Sequence, residues 1–287
     1  MKTSLILHSR PAGIAWTGPT YLTSTDAMND GKPARATRVE FAGGAIGNSV
    51  SPVATWPTAK VIRGGWLIID RGGVAGIKIE VRGKRPADGG YTYVLGGNAL
   101  TQRTVERDDG TIAIAWAFDD GLDAIIGLEF KIFDDANGAV WVDDYFDIGE
   151  VFFGEGTEVN IRREFSHELD DPTIVEHSIG NQPHVVERKR AEIIGIDICP
   201  VTWDDAYMSG DSLRRLRERL VGGKDCAIIV AFREPATGSA GAIDYDVVQA
   251  TTWFGKCTEL GTLRSVSEGA RWAMEMTFRE SPGRVVA

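Results

Sequence analysis

The sequence predicts a mainly β protein, with an all-β first half and an α+β second half. Apolar and polar residues alternate with a period of two at several places in the first half, most strictly over residues 77–82. Glycine accounts for 34 of the 287 residues and gathers in short clusters, as the turns of a many-stranded β protein require. Helical periodicity is convincing over only one segment, Leu213–Leu220.

Strand patterns follow one another through the first half. Residues 1–34 show little periodicity, whereas residues 66–70 form a short apolar run that is typical of a buried strand. Asn137 and Gly138 suit a tight type I′ turn, because both residue types tolerate a positive φ. The predicted strands cover residues 38–41, 66–70, 77–82, 112–118, 125–133, 140–142 and 145–153. This arrangement favours a β-sandwich over residues 1–155.

The pattern changes after Gly156, so we place a domain boundary there and a second domain at 156–287. Residues 166–182 are polar and predict an exposed, extended arm. The other predicted strands cover residues 159–165, 184–198, 227–232, 245–253 and 272–278. One main helix lies near 211–221: Asp211 or Ser212 suits its N-cap, and glycines end it. Its three leucines share one face and should pack on a sheet.

Charge and composition exclude several classes of partner. The formal net charge of −10 argues against duplex nucleic acid as a ligand, although an acidic surface suits DNA that passes without binding. No apolar stretch approaches the roughly 18 residues of a membrane span, which predicts no membrane partner. The apolar core of the first residues is too short for a secretory signal, so we expect synthesis in a cytoplasm.

The residues that carry chemistry show no catalytic or ligand-binding spacing. Cys199, Cys226 and Cys257 lie far apart and predict buried packing residues. The histidines lack metal-binding spacing, and we find no nucleophile elbow, Walker loop or dinucleotide fingerprint. We therefore predict no catalytic residue, no cofactor and no metal.

The paired aspartates could have either of two functional roles instead of forming turns. The pairs are at 119/120, 134/135, 143/144, 170/171 and 204/205. Most lie at predicted strand ends, where aspartate stabilises turns. They could instead bind Ca²⁺, or supply the two carboxylates of a glycoside hydrolase.

Aromatic and basic residues provide the candidate binding surfaces. Among eight tryptophans, Trp56 and Trp66 are candidates for stacking on a glycan, with core packing as the alternative. The candidate subunit interface comprises four helix arginines and two histidines of the arm: Arg214, Arg215, Arg217, Arg219, His167 and His177.

The chain resembles a known family in several segments. Residues 24–31, with their Asp-Gly ending, and the strand at 66–70 resemble discoidin-like (galactose-binding-like, jelly-roll-like) sandwiches. The strand at 145–154 is similar to the closing strand of such domains in minor tail proteins of long-tailed bacteriophages. The similarity to those proteins continues at 162–165, the polar arm, 184–198 and the helix at 213–220.

The resemblance implies a distal tail or tail-tip protein of the virion. The second domain would then be a tail-tube-like module, and six copies would close a ring around the DNA channel. The partners would be further copies of the chain, the tail tube protein and the tail-tip hub or baseplate, with the tape measure and tail fibres as further neighbours. Here the sandwich precedes the tube-like half, unlike the order in the most familiar distal tail proteins.

Two competing hypotheses remain. The chain could be a carbohydrate-binding module protein that recognises a cell-surface glycan through exposed tryptophans. It could also be a glycan-acting enzyme that uses an acidic pair such as Asp134/Asp135 or Asp143/Asp144.

Overall fold

A computed structural model describes most of the chain and confirms the mainly β fold class. The described residues are 2–33, 35–40, 49–70, 78–94, 105–106, 111–118, 123–133, 145–162, 165–170, 174–177, 183–186, 191–233, 243, 245–266 and 271–281. The Asn137-Gly138 turn, the strand at 140–142 and the pairs at 119/120, 134/135 and 143/144 lie outside them.

The first half contains eleven described strands and begins a twelfth. They are β1 Lys2–His8, β2 Ala15–Thr17, β3 Thr37–Glu40, β4 Ser49–Val50, β5 Val53–Lys60, β6 Gly64–Asp70, β7 Lys78–Lys84, β8 Tyr93–Val94, β9 Val105–Glu106, β10 Thr111–Ala117, β11 Ile125–Phe133 and β12 Tyr145–Ile161. A 3-10 helix covers Thr25–Asn29, and the Ser24 side chain accepts from the Asp26 N–H at its start.

The described residues of the second half form eight further strands and three helices. The strands are β13 Ser166–Asp170, β14 Ile174–His177, β15 Pro183–Val186, β16 Ala191–Val201, β17 Asp225–Arg233, β18 Thr252–Leu260, β19 Arg264–Ser265 and β20 Trp272–Glu280. The helices are a π-helix at Asp204–Met208, α1 at Leu213–Leu220 and α2 at Tyr245–Ala250.

Two sheets form the sandwich that the first half predicts. One sheet has the order β2-β5-β11-β7-β8, with β4 also on β11. It faces β3, β12, β6, β10 and β9, which belong to a 12-stranded sheet. A core that includes Trp56, Trp116, Phe130 and Phe153 fills the space between the two.

Six strands of the larger sheet close into a barrel-like circuit, which combines four strands of the second half with β1 and the end of β12. The order is β16-β20-β18-β17-β1-β12, and β12 returns to β16 through the pair Ile161↔Ile198. The Arg162 N–H also donates to the Asp197 carbonyl at 3.0 Å. A second core, which includes Ile6, Ile228 and Met274, lies inside this circuit.

Strand β12 belongs to both parts. Its first residues pair with β3 and β6, and its last residues pair with β1. The predicted boundary between 155 and 156 therefore falls inside one continuous strand. Likewise β1, at the start of the chain, pairs with β17 near its end. The division into two domains stays a prediction.

A third core joins the two parts. Alternate residues of β1 point to different cores, because strand side chains alternate between the two faces of a sheet: Ile6 packs in the second core, whereas Leu5 and Leu7 pack in the third. In the third core, Trp66 of β6 contacts Phe254 of β18.

The prediction of a strand over residues 245–253 is wrong for its first part, and two other segments add to what the sequence pattern indicates. Residues 2–8, within the segment of little periodicity, form an internal strand between β17 and β12, and cores on both of its faces explain why it does not alternate between apolar and polar residues. Residues 245–250 form helix α2, and a strand follows only from residue 252. Of the strand predicted at 184–198, residues 184–186 lie in β15 and residues 191–198 in β16, and residues 187–190 lie outside the described residues.

Within the predicted arm at 166–182, the described residues, 166–170 and 174–177, form strands. Residues 166–170 form β13, which pairs with β16, and Ile174–His177 pairs with β15 as a hairpin. Residues 166–169 are exposed, as predicted, and the polar composition suits an edge strand, which needs few apolar residues when solvent lies on its faces.

Candidate functional site

Helix α1 is where the sequence predicts it, with its basic face away from the core. Ser212 accepts a hydrogen bond from the Arg215 N–H, and Gly222 and Gly223 follow the helix with φ of +85° and +65°. As predicted, the apolar stripe is buried, packing in the second core: Leu213, Leu216 and Leu220. The helix therefore presents arginines to the surface.

The four helix arginines differ in surroundings. Arg214 is exposed and lies 3.2 Å from Glu218 one turn later. Arg215 is exposed, whereas Arg217 and Arg219 are partly buried. Arg219 lies 3.2 Å from Asp211.

A groove of about 710 Å³ lies between α1 and residues of the sandwich part. It is bounded by the C-terminal turns of α1, the loop that follows the helix, the start of β17 and the segment after β1. The lining residues are Ser9, Arg10, Phe152, Arg215, Glu218, Arg219, Gly222, Gly223, Lys224, Asp225 and Lys256. Five of these residues are basic and two are acidic. We take this groove as the candidate functional site.

A buried ion pair forms one wall of the groove. Arg10 pairs with the fully buried Glu150 and its guanidinium lies 5.0 Å from the centroid of Phe152. The second carboxylate oxygen of Glu150 accepts from the Gly31 N–H at 2.8 Å. Burial raises the pKa of Glu150 to about 7, against the opposing effect of Arg10. Gly31 has φ +73°, and a Cβ there would lie 2.3 Å from Asp225 Oδ2, so this position requires glycine.

A histidine lies behind the opposite wall. His8 Nε2 is 2.8 Å from Thr157 Oγ1 and 3.3 Å from Arg219 Nη1. Burial, and next the positive charge of Arg219, lower the pKa of His8 to about 4. The ring is therefore neutral at neutral pH, and it ties helix α1 to strands β1 and β12.

A second exposed feature is the edge strand β13, which carries His167. His167 Nε2 lies 3.2 Å from Glu192, and its ring centroid is 5.5 Å from that of Trp253. At the other end of the strand, Asp170 pairs with Arg279 at 2.5 Å. The other histidine of the predicted interface, His177, lies in β14, away from helix α1 in sequence, and the structure describes only its backbone.

The two predicted glycan-contact tryptophans are buried, so that prediction is wrong. Trp56 belongs to the sandwich core and donates its indole N–H to the Ile125 carbonyl at 3.1 Å. Trp66 stacks on Phe254 in the third core. A sugar needs an accessible aromatic face, and neither ring offers one.

The exposed aromatic surface lies elsewhere, and sequence reasoning missed it. Trp203 is 50% exposed and stacks on Tyr207, with centroids 4.3 Å apart. Trp272 meets the same indole edge-on at 5.5 Å. Asp204 and Asp205 are exposed beside this cluster. The signal in the sequence was a tryptophan directly before two acidic residues in a short polar segment.

Within the described residues, no three metal-ligating side chains come together, and none of the helices there could cross a membrane. The three cysteines are buried and free, as their predicted packing role requires. Burial raises the pKa of Cys257 to about 12, so its thiol is unreactive.

Comparison with known proteins reveals only weak similarity. No family model and no curated protein matches the chain. Among solved structures, the chain is similar to CBM32-1 from a family 31 glycoside hydrolase from Clostridium perfringens, at 10% identity and a TM-score of 0.32. The match covers 51% of this chain and 96% of that domain.

Proposed function

We propose that the protein is a non-enzymatic structural subunit of a bacteriophage tail tip, similar to a distal tail protein. Copies join head-to-tail, as a hexameric ring, between the tail tube and the tip or receptor-binding apparatus. DNA passes through the ring without specific binding, as the acidic composition suits. The observation that carries the proposal is the open edge formed by β13.

Strand β13 ends the larger sheet and exposes most of its residues. Four of its five residues are exposed, and Leu169 is 57% exposed. Among the described strands, only β16 pairs with it. The outer side of such a strand carries backbone donors and acceptors that a strand of another subunit can pair with.

Contacts with the barrel hold this edge in place. The pairing with β16 runs from Ser166↔Gly195 to Asp170↔Ala191 without a bulge. The ion pair between Asp170 and Arg279 and the contact of His167 with Trp253 add side-chain support. A strand that is already ordered loses little entropy when a partner adds to it.

Among the described strands, a different strand lies at the far end of the same sheet. That end is β9, Val105–Glu106, which pairs with β10. Head-to-tail assembly requires two different patches on each subunit, and the two ends of this sheet meet that requirement.

Size-exclusion chromatography with light scattering tests the proposal. We expect the wild-type protein to form a closed oligomer, and Leu169→Lys to shift it to monomer, because a lysine on an edge strand opposes strand addition. The matched control is Leu22→Lys, since Leu22 is 52% exposed and lies outside β13.

Two results would contradict the proposal. One is a wild-type protein that stays monomeric at high concentration, alone and with tail tube protein. The other is a Leu169→Lys variant that assembles as the wild type does.

Carbohydrate binding is the second candidate function, and the Trp203 surface favours it. A half-exposed indole beside two carboxylates combines a face for the apolar side of a sugar with acceptors for its hydroxyls. We expect Trp203→Ala to abolish binding on a glycan array and Leu22→Ala to leave it unchanged. Absence of any glycan signal with the wild-type protein would exclude this function for the glycans on the array.

A further inference from the structure

The groove beside helix α1 contains more positive charge than its surroundings neutralise. The whole chain carries a formal charge of −10, yet the described residues that line the groove include five basic and two acidic ones. A concave, positively charged site on an acidic protein attracts anions selectively, because the remaining surface repels them.

Three of the five basic residues have acidic partners. Arg10 pairs with Glu150, Arg219 lies 3.2 Å from Asp211, and Lys256 lies 2.9 Å from Asp225. Among the described residues, Arg215 and Lys224 have no such partner. Both are exposed.

The paired residues supply an ordered frame for the unpaired ones. Arg10 is fixed by Glu150 and by the ring of Phe152, so its position costs no further ordering. The same holds for Arg219, through Asp211 and the nearby His8. Arg219 also lies in the last turn of the helix, where its charge compensates the carbonyl end.

The loop after the helix leaves the groove open. Gly222 and Gly223 both have positive φ, and a Cβ at either position would meet no atom within 4 Å. A ligand can therefore approach the backbone of this turn closely.

We propose that this groove binds a sugar-sized ligand that carries a phosphate monoester. Such a group has a charge near −2 at neutral pH, which matches the two basic residues without partners. The volume of about 710 Å³ exceeds what a phosphate ion needs and accommodates a sugar attached to it. The proposal rests on the lining of the groove and not on the proposed ring.

Titration calorimetry at low and physiological salt tests the proposal with three probes: inorganic phosphate, glucose 6-phosphate and glucose. We expect glucose 6-phosphate to bind, phosphate to bind more weakly, and glucose to give no heat. Affinity should fall as salt rises, because the contact is electrostatic.

Variants locate the site. We expect Arg215→Gln and Lys224→Gln each to weaken binding about tenfold, in keeping with the loss of one charge-assisted hydrogen bond. Arg264→Gln is the control, because Arg264 is exposed and pairs with Glu275, and neither residue lines the groove. Both target residues are exposed, so folding should be unaffected.

Equal affinity for glucose and glucose 6-phosphate would overturn the proposal. So would unchanged binding in the two groove variants. If these variants lose self-association and the wild type binds no phosphate probe, the groove is a subunit contact instead. Measuring Leu169→Lys in the same assay separates the two proposals, since a monomer should still bind the probe.

Discussion

The stacked pair of Trp66 and Phe254 provides the sharpest test of how the two parts of the chain are joined. The ring centroids are 4.9 Å apart and the ring planes differ by 15°, and Phe152 packs on the same phenylalanine at 5.4 Å. All three rings are buried. Phe254→Ala removes a fully buried ring from the third core, which should lower the free energy of unfolding by about 3–5 kcal/mol.

The stacking itself can be measured with a double-mutant cycle. In Trp66→Leu and Phe254→Leu the side chains keep part of their volume, so the cycle isolates the contact between the rings. We expect a coupling free energy of about 0.5–1.5 kcal/mol, the usual value for aromatic pairs. Urea unfolding followed by circular dichroism and by tryptophan fluorescence provides the free energies, and the two transitions should coincide.

Hydrogen exchange then shows where stability is lost. Because the third core contains residues of β6 and β12 as well as β17 and β18, Phe254→Ala should reduce amide protection in both parts of the chain. Val221→Ala, at a residue 58% exposed, is the control and should change stability by less than about 0.5 kcal/mol. Loss of protection confined to the second half, or a free-energy change below about 1 kcal/mol, would refute the reasoning.

The remaining predictions concern pH. The pKa of Glu150 is raised from 4.5 to about 7, so the stability that its proton provides is fully present below pH 4.5 and is lost as pH rises through 7. The pKa of His8 is lowered from 6.5 to about 4, so its contribution is present above pH 6.5 and is lost as pH falls through 4. Each of the two groups changes the free energy of unfolding by up to about 3 kcal/mol, and between pH 4.5 and 6.5 the two changes have opposite signs. Urea unfolding across this range should therefore show stability rising with pH in Glu150→Gln and falling with pH in His8→Gln. Parallel pH profiles for wild type and a variant would contradict the assignment for that residue.

Local signals in the sequence predict some elements accurately. The Leu213–Leu220 helix needs only its leucine spacing, Ser212 as N-cap and the two glycines after it, and all of these act within a few residues. The buried strand at 66–70 likewise shows its character locally, because a strand with cores on both faces is apolar throughout. The mainly β class and the burial of the three cysteines follow from composition and spacing.

Other features depend on contacts between residues far apart in the chain. Lys2–His8 is a strand because β12 and β17 lie on either side of it, more than 140 residues away in sequence. The apolar run around Trp66 predicts its burial, but the contact of its ring with Phe254, almost 190 residues later in the sequence, is visible only in the fold. The groove combines Arg10 with Arg215 and Lys224, whose proximity arises only when β1 enters the barrel beside α1. Short-range backbone preferences and side-chain periodicity are properties of the sequence, whereas burial and the convergence of charge are properties of the packed chain.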